Sequence, residues 1–330
     1  MNLEFSNRGR VLYVAAGALG LSTLLALTGH SAWPQATRTI RIIVPFPPGG
    51  PTDYLARVLA DQIGRAQRLS VVVENRPGAG SVVGTDAASR SAPDGNTLLL
   101  YSKEAIINAH VRRVSYDPLN SFEPICRLVN TPTIYSVNSA SSYRSLADLL
   151  DAARGNPGAL TLASSGPASP FQIGFETLKR AANVNMTFVP FPGGVPAVNA
   201  LLGGHVTSTL TTYATTGEHY SSGKLRAIAI ASLTRVESLP NVPTVDEQGY
   251  RGYEVDIWYG LVAPARTPKD TIAQLTDWLT AAMKVPDIRA KLAVQGLNPD
   301  SMCGADFSNL LRRQYDDYGR IIREANIKAE

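Results

Sequence analysis

Val44-Pro45-Phe46-Pro47-Pro48-Gly49-Gly50-Pro51-Thr52-Asp53 turns a β-branched run into a helical one without a linker. Pro51 suits the first position of a helix, which makes Gly50 the N-cap and puts Asp53 at N3. A carboxylate at N3 can satisfy both the cap and the positive end of the helix dipole. The glycines let backbone N–H groups face outward with no Cβ in the way. Unpaired N–H groups at a helix start favour an anion. The stretch therefore reads as a main-chain cradle for a carboxylate or, equally, as a tight strand-to-helix turn with no ligand.

Outward from this loop, short β-branched runs at 40–44, 70–74, 97–102, 133–138, 161–164, 186–190, 206–211 and 225–231 read as strands. Helical spacing recurs around Leu55, Val58, Leu59 and Ile63, and through 146–153, 172–182, 195–202, 272–283 and 307–322. Strands alternating with helices argue for an α/β protein with parallel sheets covered on both faces. Such sheets bind ligands beyond the carboxyl ends of their strands. Asn130-Thr131-Pro132-Thr133 breaks the pattern, and 254–264 is an extended run rich in aromatics. Together they read as two crossings of a chain that leaves one domain, builds a second and returns. That predicts a discontinuous first lobe, 37–132 with 256–330, a second lobe, 133–255, and a cleft between them.

Three further loops repeat the strand–turn–helix character. Glu74-Asn75-Arg76-Pro77-Gly78-Ala79-Gly80-Ser81 carries a weak dinucleotide-like glycine pattern. Asn-Arg-Pro separates its strand from the first glycine, and no acidic strand end follows at the right distance, so nucleotide binding is not expected. Ala163-Ser164-Ser165-Gly166-Pro167-Ala168-Ser169-Pro170 offers hydroxyls and N–H groups to an oxyanion, or a plain serine N-cap. Pro190-Phe191-Pro192-Gly193-Gly194-Val195-Pro196 echoes the first loop.

The ends and the composition exclude other classes. Arg8 and Arg10 precede an uncharged run over 11–28, followed by small residues; residues 1–36 read as a secretory signal peptide, with an uncleaved membrane anchor as the other reading. The net charge is +4 over 330 residues and is spread out, with no basic stripe interleaved with aromatics, so no nucleic acid is expected. Cys126 and Cys303 permit a disulfide in an exported chain, or remain two separate thiols. No Gly-x-Ser-x-Gly elbow and no Walker loop is present, and His110, His205 and His219 lack metal spacing. No cofactor or metal is expected, and no enzyme. The remaining enzymatic alternative is a secreted hydrolase using Ser164 or Ser165 with His110.

The ordered set of these loops resembles the Bug receptors, the substrate-binding proteins of tripartite tricarboxylate transporters. The resemblance rests on 44–53, Val73-Glu-Asn-Arg-Pro-Gly-Ala-Gly80, Ala92-Pro-Asp-Gly95, Ser164-Ser-Gly166, Leu202-Gly-Gly204, Gly223-Lys-Leu-Arg-Ala227, Leu239-Pro-Asn-Val-Pro-Thr244 and Trp258-Tyr-Gly-Leu-Val-Ala-Pro264. It implies a two-lobed periplasmic-binding fold of type II that closes on its ligand, a periplasmic location, a monomer, and membrane transporter subunits as partners. A ligand sensor without a transport role is the alternative partner reading. Carried over, it points to Phe46, Pro47, Gly49, Gly50 and Asp53 on one lobe, with Asp53 also open to a structural reading, and to Ser164, Ser165 and Gly193 on the other. Relatives often have an aspartate where this chain has Thr211-Thr212-Tyr213, and small residues where it has Ser102-Lys103-Glu104. Ser102, Lys103 and Thr211 are therefore added as candidate ligand contacts. Lys103 reads either as a partner for a second ligand carboxylate or as an exposed lysine held by Glu104. A neutral, hydroxyl-bearing far wall suits a dicarboxylate or an aromatic acid such as terephthalate.

Overall fold

A computed structural model describes residues 38–328; the export segment expected over 1–36 lies outside them. In chain order the first part contains β1 (Thr39–Val44), α1 (Pro51–Gln67), β2 (Ser70–Asn75), α2 (Val82–Ser89), β3 (Thr97–Ser102), α3 (Lys103–Val111) and β4 (Phe122–Thr131). The middle contains β5 (Thr133–Asn138), α4 (Leu146–Gly155), β6 (Thr161–Ser165), α5 (Pro170–Ala181), β7 (Thr187–Phe191), α6 (Gly194–Leu202), β8 (Ser208–Thr212), α7 (Tyr213–Ser221) and β9 (Leu225–Ile230). The last part contains β10 (Ile257–Pro264), α8 (Lys269–Lys284), α9 (Pro286–Val294), β11 (Asn298–Cys303) and α10 (Ala305–Ala325).

These strands form two sheets, in the orders β11-β4-β10-β3-β1-β2 and β7-β6-β8-β5-β9. The fold is α/β with two sheets flanked by helices, as expected. The sheets are mixed and not parallel throughout. β1 pairs in parallel with β2 and β3, but β10 is antiparallel to β3 and β4, and β5 is antiparallel to β8 and β9. The cause is the crossing itself: a strand that arrives from the other sheet enters at the end where its neighbours finish.

Alternation along the central strands explains why both faces are covered. Ile40, Ile42 and Val44 of β1, with Leu98 and Leu100 of β3, pack into a core with Leu55 and Leu59 of α1 and Leu275 and Leu279 of α8. Ile43, Leu99 and Tyr101 point to the opposite face, where Ile106 of α3, Trp258 and Phe307 of α10 cover them. Two-sided burial gives the near-continuous apolar runs that make these strands easy to see. In the second sheet, Tyr135, Leu162 and Leu210 pack on α4 and α5, while Ala163 packs on α6.

Cys126 and Cys303 occupy paired positions on β4 and β11 and are joined by a disulfide. The bond encloses everything between these strands, the whole five-stranded sheet included. Among the described residues no helix is long and apolar enough to cross a membrane.

Candidate functional site

The carboxyl ends of β1 and β3 in one sheet, and of β6, β7 and β8 in the other, each lead into a helix start. At β1 the turn forms as the residue types require. Gly50 is the N-cap of α1 with extended backbone, Pro51 is N1, and no side chain caps the helix. Gly49 adopts φ +87°, a region that costs a side chain energy, and a Cβ at Gly49 or Gly50 would meet nothing within 4 Å. Main chain is therefore bare on the outer side of the loop. The first helical bond runs from Tyr54 N–H to Gly50 O, which leaves the N–H groups before it for other acceptors.

Asp53 is buried beneath this turn. It accepts from Gly49 N–H at 3.0 Å, not from the N-cap residue, and from Arg57 Nε at 2.9 Å and Asn75 Nδ2 at 3.0 Å. The Arg57 hydrogen bond, working against burial and helped by Gly49 and Asn75, lowers its pKa to about 2. Asn75 also donates to Phe46 O at 3.2 Å. The carboxylate is thus a brace that fixes the loop, and its own acceptor sites face protein. Phe46 packs half-buried on the first core, while Pro47 is exposed at the loop tip.

Sequence reasoning missed Asn75 and Arg57. A signal existed for both: Asn75 closes β2, paired in register with Val44, and Arg57 stands one helical turn after Asp53.

At β3, Ser102 is the N-cap of α3, and its buried hydroxyl has no hydrogen-bond partner within the protein. Lys103 departs from both sequence readings. It is buried, neither exposed nor held by Glu104, and its ammonium donates to the Asp256 carboxylate and, at 2.6 Å, to Asp256 O. Burial opposes the Lys103 charge, but the Asp256 carboxylate outweighs it, with help from Tyr318, and raises the pKa. With its donors committed there, Lys103 is withdrawn as a partner for a second ligand carboxylate.

The second sheet sorts its serines. Ser164 is buried and its hydroxyl donates to Leu210 O at 2.5 Å, stitching β6 to β8, so it is spent on structure. Ser169 is the plain N-cap, accepting from Gln172 N–H at 3.3 Å. Ser165 ends β6 half-buried, and its hydroxyl is the one left at the mouth of this loop. Gly193 is the N-cap of α6 in extended backbone, without a side-chain cap. A Cβ on the next residue, Gly194, would stand 3.3 Å from Thr215 Oγ1 and 3.8 Å from Thr211 Cγ2. Thr212 and Thr215 hydroxyls lie 3.0 Å apart, and the buried Thr211 hydroxyl has no partner within the protein. Threonine hydroxyls thus cluster at the end of β8, and Thr215, which the sequence does not single out, joins them.

His110 does not meet Ser164 or Ser165 in any hydrogen bond. Its ring packs 4.3 Å from that of Tyr315 on α10, and burial lowers its pKa.

Residues 55–327 match the tripartite tricarboxylate transporter family receptor, TctC. The chain belongs to this family. TctC proteins are receptors that bind solutes and not enzymes, so the hydrolase alternative falls. Among relatives, the chain is 31% identical to BugT of Bordetella pertussis over 325 residues, 98% of this chain and 99% of that protein. Among solved structures it superposes on the periplasmic binding protein BugD with TM-score 0.74 and 31% identity, covering 89% of this chain and 99% of that one. It is likewise similar to Rpa4515 of R. palustris with adipate, at TM-score 0.77 and 26% identity, covering 90% and 100%. The two-sheet TctC architecture is that of two-lobed periplasmic binding proteins, and the role is periplasmic solute binding.

Proposed function

We propose that the protein captures a small dicarboxylate or aromatic acid in the cleft between its lobes and delivers it to tripartite transporter subunits. In this reading the lobes are 37–132 with 256–330, and 133–255. Residues 1–36 direct export and are removed, and the receptor works as a monomer. The observation that carries the reading is the bare main chain at Gly49–Gly50, braced from below by Asp53. Gly49 N–H is donated to Asp53, so the N–H groups of Gly50, Thr52 and Asp53 at the helix start bind a carboxylate, without a buried arginine. Phe46 and Pro47 shape the rim of this cradle. Ser102, Ser165, Gly193 and Thr211 supply donors at the other strand ends, and the absence of an acidic side chain at Thr211-Thr212-Tyr213 disfavours an ammonium-bearing ligand. Adipate bound by Rpa4515 is a linear dicarboxylate, which fits two donor sets facing each other.

Two variants separate site from scaffold. Ser165→Ala leaves the melting temperature in place and weakens ligand binding by about 2- to 10-fold, the worth of one hydrogen bond. Ser164→Ala costs about 1 kcal/mol of stability through the lost bond to Leu210 O. The test of the function is a thermal-shift screen of the purified protein against linear dicarboxylates, aromatic acids, tricarboxylates and acidic amino acids. A ligand at a hundredfold its Kd adds about 2.7 kcal/mol of stability. A shift from dicarboxylates or aromatic acids is expected; a shift from amino acids alone, or from none of the acids, contradicts the proposal.

A further inference from the structure

Lys103 is placed where a lysine is doubly unfavourable. It is the first residue of α3, at the positive end of the helix dipole, and it is buried. What offsets this is Asp256, itself buried, which stands immediately before β10 on the chain's return from the second sheet. Arg127 Nη1 of β4 lies 3.8 Å from the other Asp256 oxygen, and Arg127 also pairs with Asp300 of β11, which accepts from Asn130 Nδ2 at 3.1 Å. The Lys103 ammonium lies 6.0 Å from the ring centre of Tyr318 on α10. Arg127, Asn130, Asp300 and Tyr318 belong to the six-stranded sheet or its helices, and Asp256 directly precedes β10.

The residue before Asp256 belongs to the other lobe. Val255 packs in the core of the five-stranded sheet, its N–H donates to Ala231 O at 2.7 Å, and Thr133 Oγ1 donates to Val255 O. A Cβ at Gly174 of α5 would stand 2.1 Å from Val255 Cγ2, so only glycine admits Val255 there. On the outward crossing, Thr131 pairs with Ile257 in the six-stranded sheet, and Thr133 accepts from Ala231 N–H in the five-stranded one. Only Pro132 lies between. Two cavities, of about 460 and about 500 Å³, meet at the return crossing, and Glu254 and Asp256 line both.

We propose that Lys103 and Asp256, with Arg127 and Asp300, form a charge anchor that fixes the return crossing to the six-stranded sheet and confines lobe bending to Pro132 and the Val255–Asp256 peptide. This rests on the closure reading of the function. A buried ion pair is weak as a source of stability, and in this proposal its role is to fix geometry, as such groups do in some systems. Without the anchor, bending spreads into the start of β10, where Ile257 pairs with β4 but also packs in the five-stranded sheet's core, and β3 takes hold only from Tyr259.

Amide hydrogen exchange, read on the ligand-free protein, tests the anchor without needing a ligand. In the native protein the segment 256–259 is as protected as the strand centre at Leu261 and Val262. In a Lys103→Met/Asp256→Asn double variant, which avoids leaving either buried charge unpaired by the other, 256–259 exchanges about tenfold faster while the strand centre holds. Equal protection of both segments in the double variant makes the pair a packing element and overturns the proposal. So does a native protein in which 256–259 already opens far faster than the centre, a readout that needs no variant to fold. Failure of closure itself shows only when ligand is added, so the two readings fall separately.

Discussion

Asp53 is the residue on which the first loop depends, and its chemistry can be titrated. Its carboxyl has a folded pKa of about 2, set first by the Arg57 hydrogen bond, against about 4 in an unfolded chain. A lowered folded pKa means stability that is complete above the unfolded value and is lost as pH falls toward the folded one. Asp53→Asn is therefore less stable than the native protein at pH 7 by about 1–3 kcal/mol, the cost of weakening a buried, charge-assisted set of bonds. The gap narrows as pH falls from about 4 toward 2, because the native carboxyl then also carries its proton. Denaturant melts of both proteins at pH 7, 4 and 2.5 check this; a gap constant with pH would remove the carboxylate's charge from the account. The sequence permitted this role, since Pro51 fixes the helix start and so places Asp53 at N3. It did not show that the carboxylate reaches Gly49 and Asn75, because those bonds depend on how β2 lies beside β1.

At the scale of elements, what the sequence made legible was what local physics decides. β3 and β5 fall where their β-branched and aliphatic runs predict, because those strands are buried on both faces. Three strands were not named as such. β4 carries Glu123, Pro124 and Arg127 among its apolar residues, β10 was read only as an extended crossing, and β11 is a half-exposed edge containing Pro299. Their pairing is long-range and antiparallel, which no local pattern encodes. Helices α3 and α7 were missed because each starts directly at the last strand residue, with no turn between. The partner of Lys103 escapes any local reading, because it is 153 residues away. The disulfide joins the two strands least visible in sequence, Cys126 on β4 and Cys303 on β11. Replacing both cysteines with serine lowers stability by about 2–5 kcal/mol, and reduction of the native protein lowers its urea midpoint in step. An unchanged midpoint on full reduction would mean that the neighbouring strands alone hold β11 in place.

For the molecule as a whole, the two crossings are the structural basis of function as proposed. They are adjacent and hydrogen-bonded to each other through Thr133, Ala231 and Val255, and open volume flanks them, while α5 of the five-stranded sheet also packs on α3 and α10 through Ile173, Ile107 and Ile322. In the proposed closure the strand ends that carry Gly49, Ser102, Ser165, Gly193 and Thr211 approach one another as the crossing bends, and water leaves as the backbone donors meet the ligand. Family membership settles that the chain is a receptor; in the proposed reading the hydroxyl-bearing wall at β8 and α7 selects the acid. Small-angle X-ray scattering of the purified protein, with and without a dicarboxylate that shifts its melting temperature, tests capture by closure most directly. With ligand bound the radius of gyration is smaller, and it returns when the ligand is dialysed away. An unchanged radius at saturation would contradict capture by closure, and would make the cleft a rigid site in which the crossings play no part.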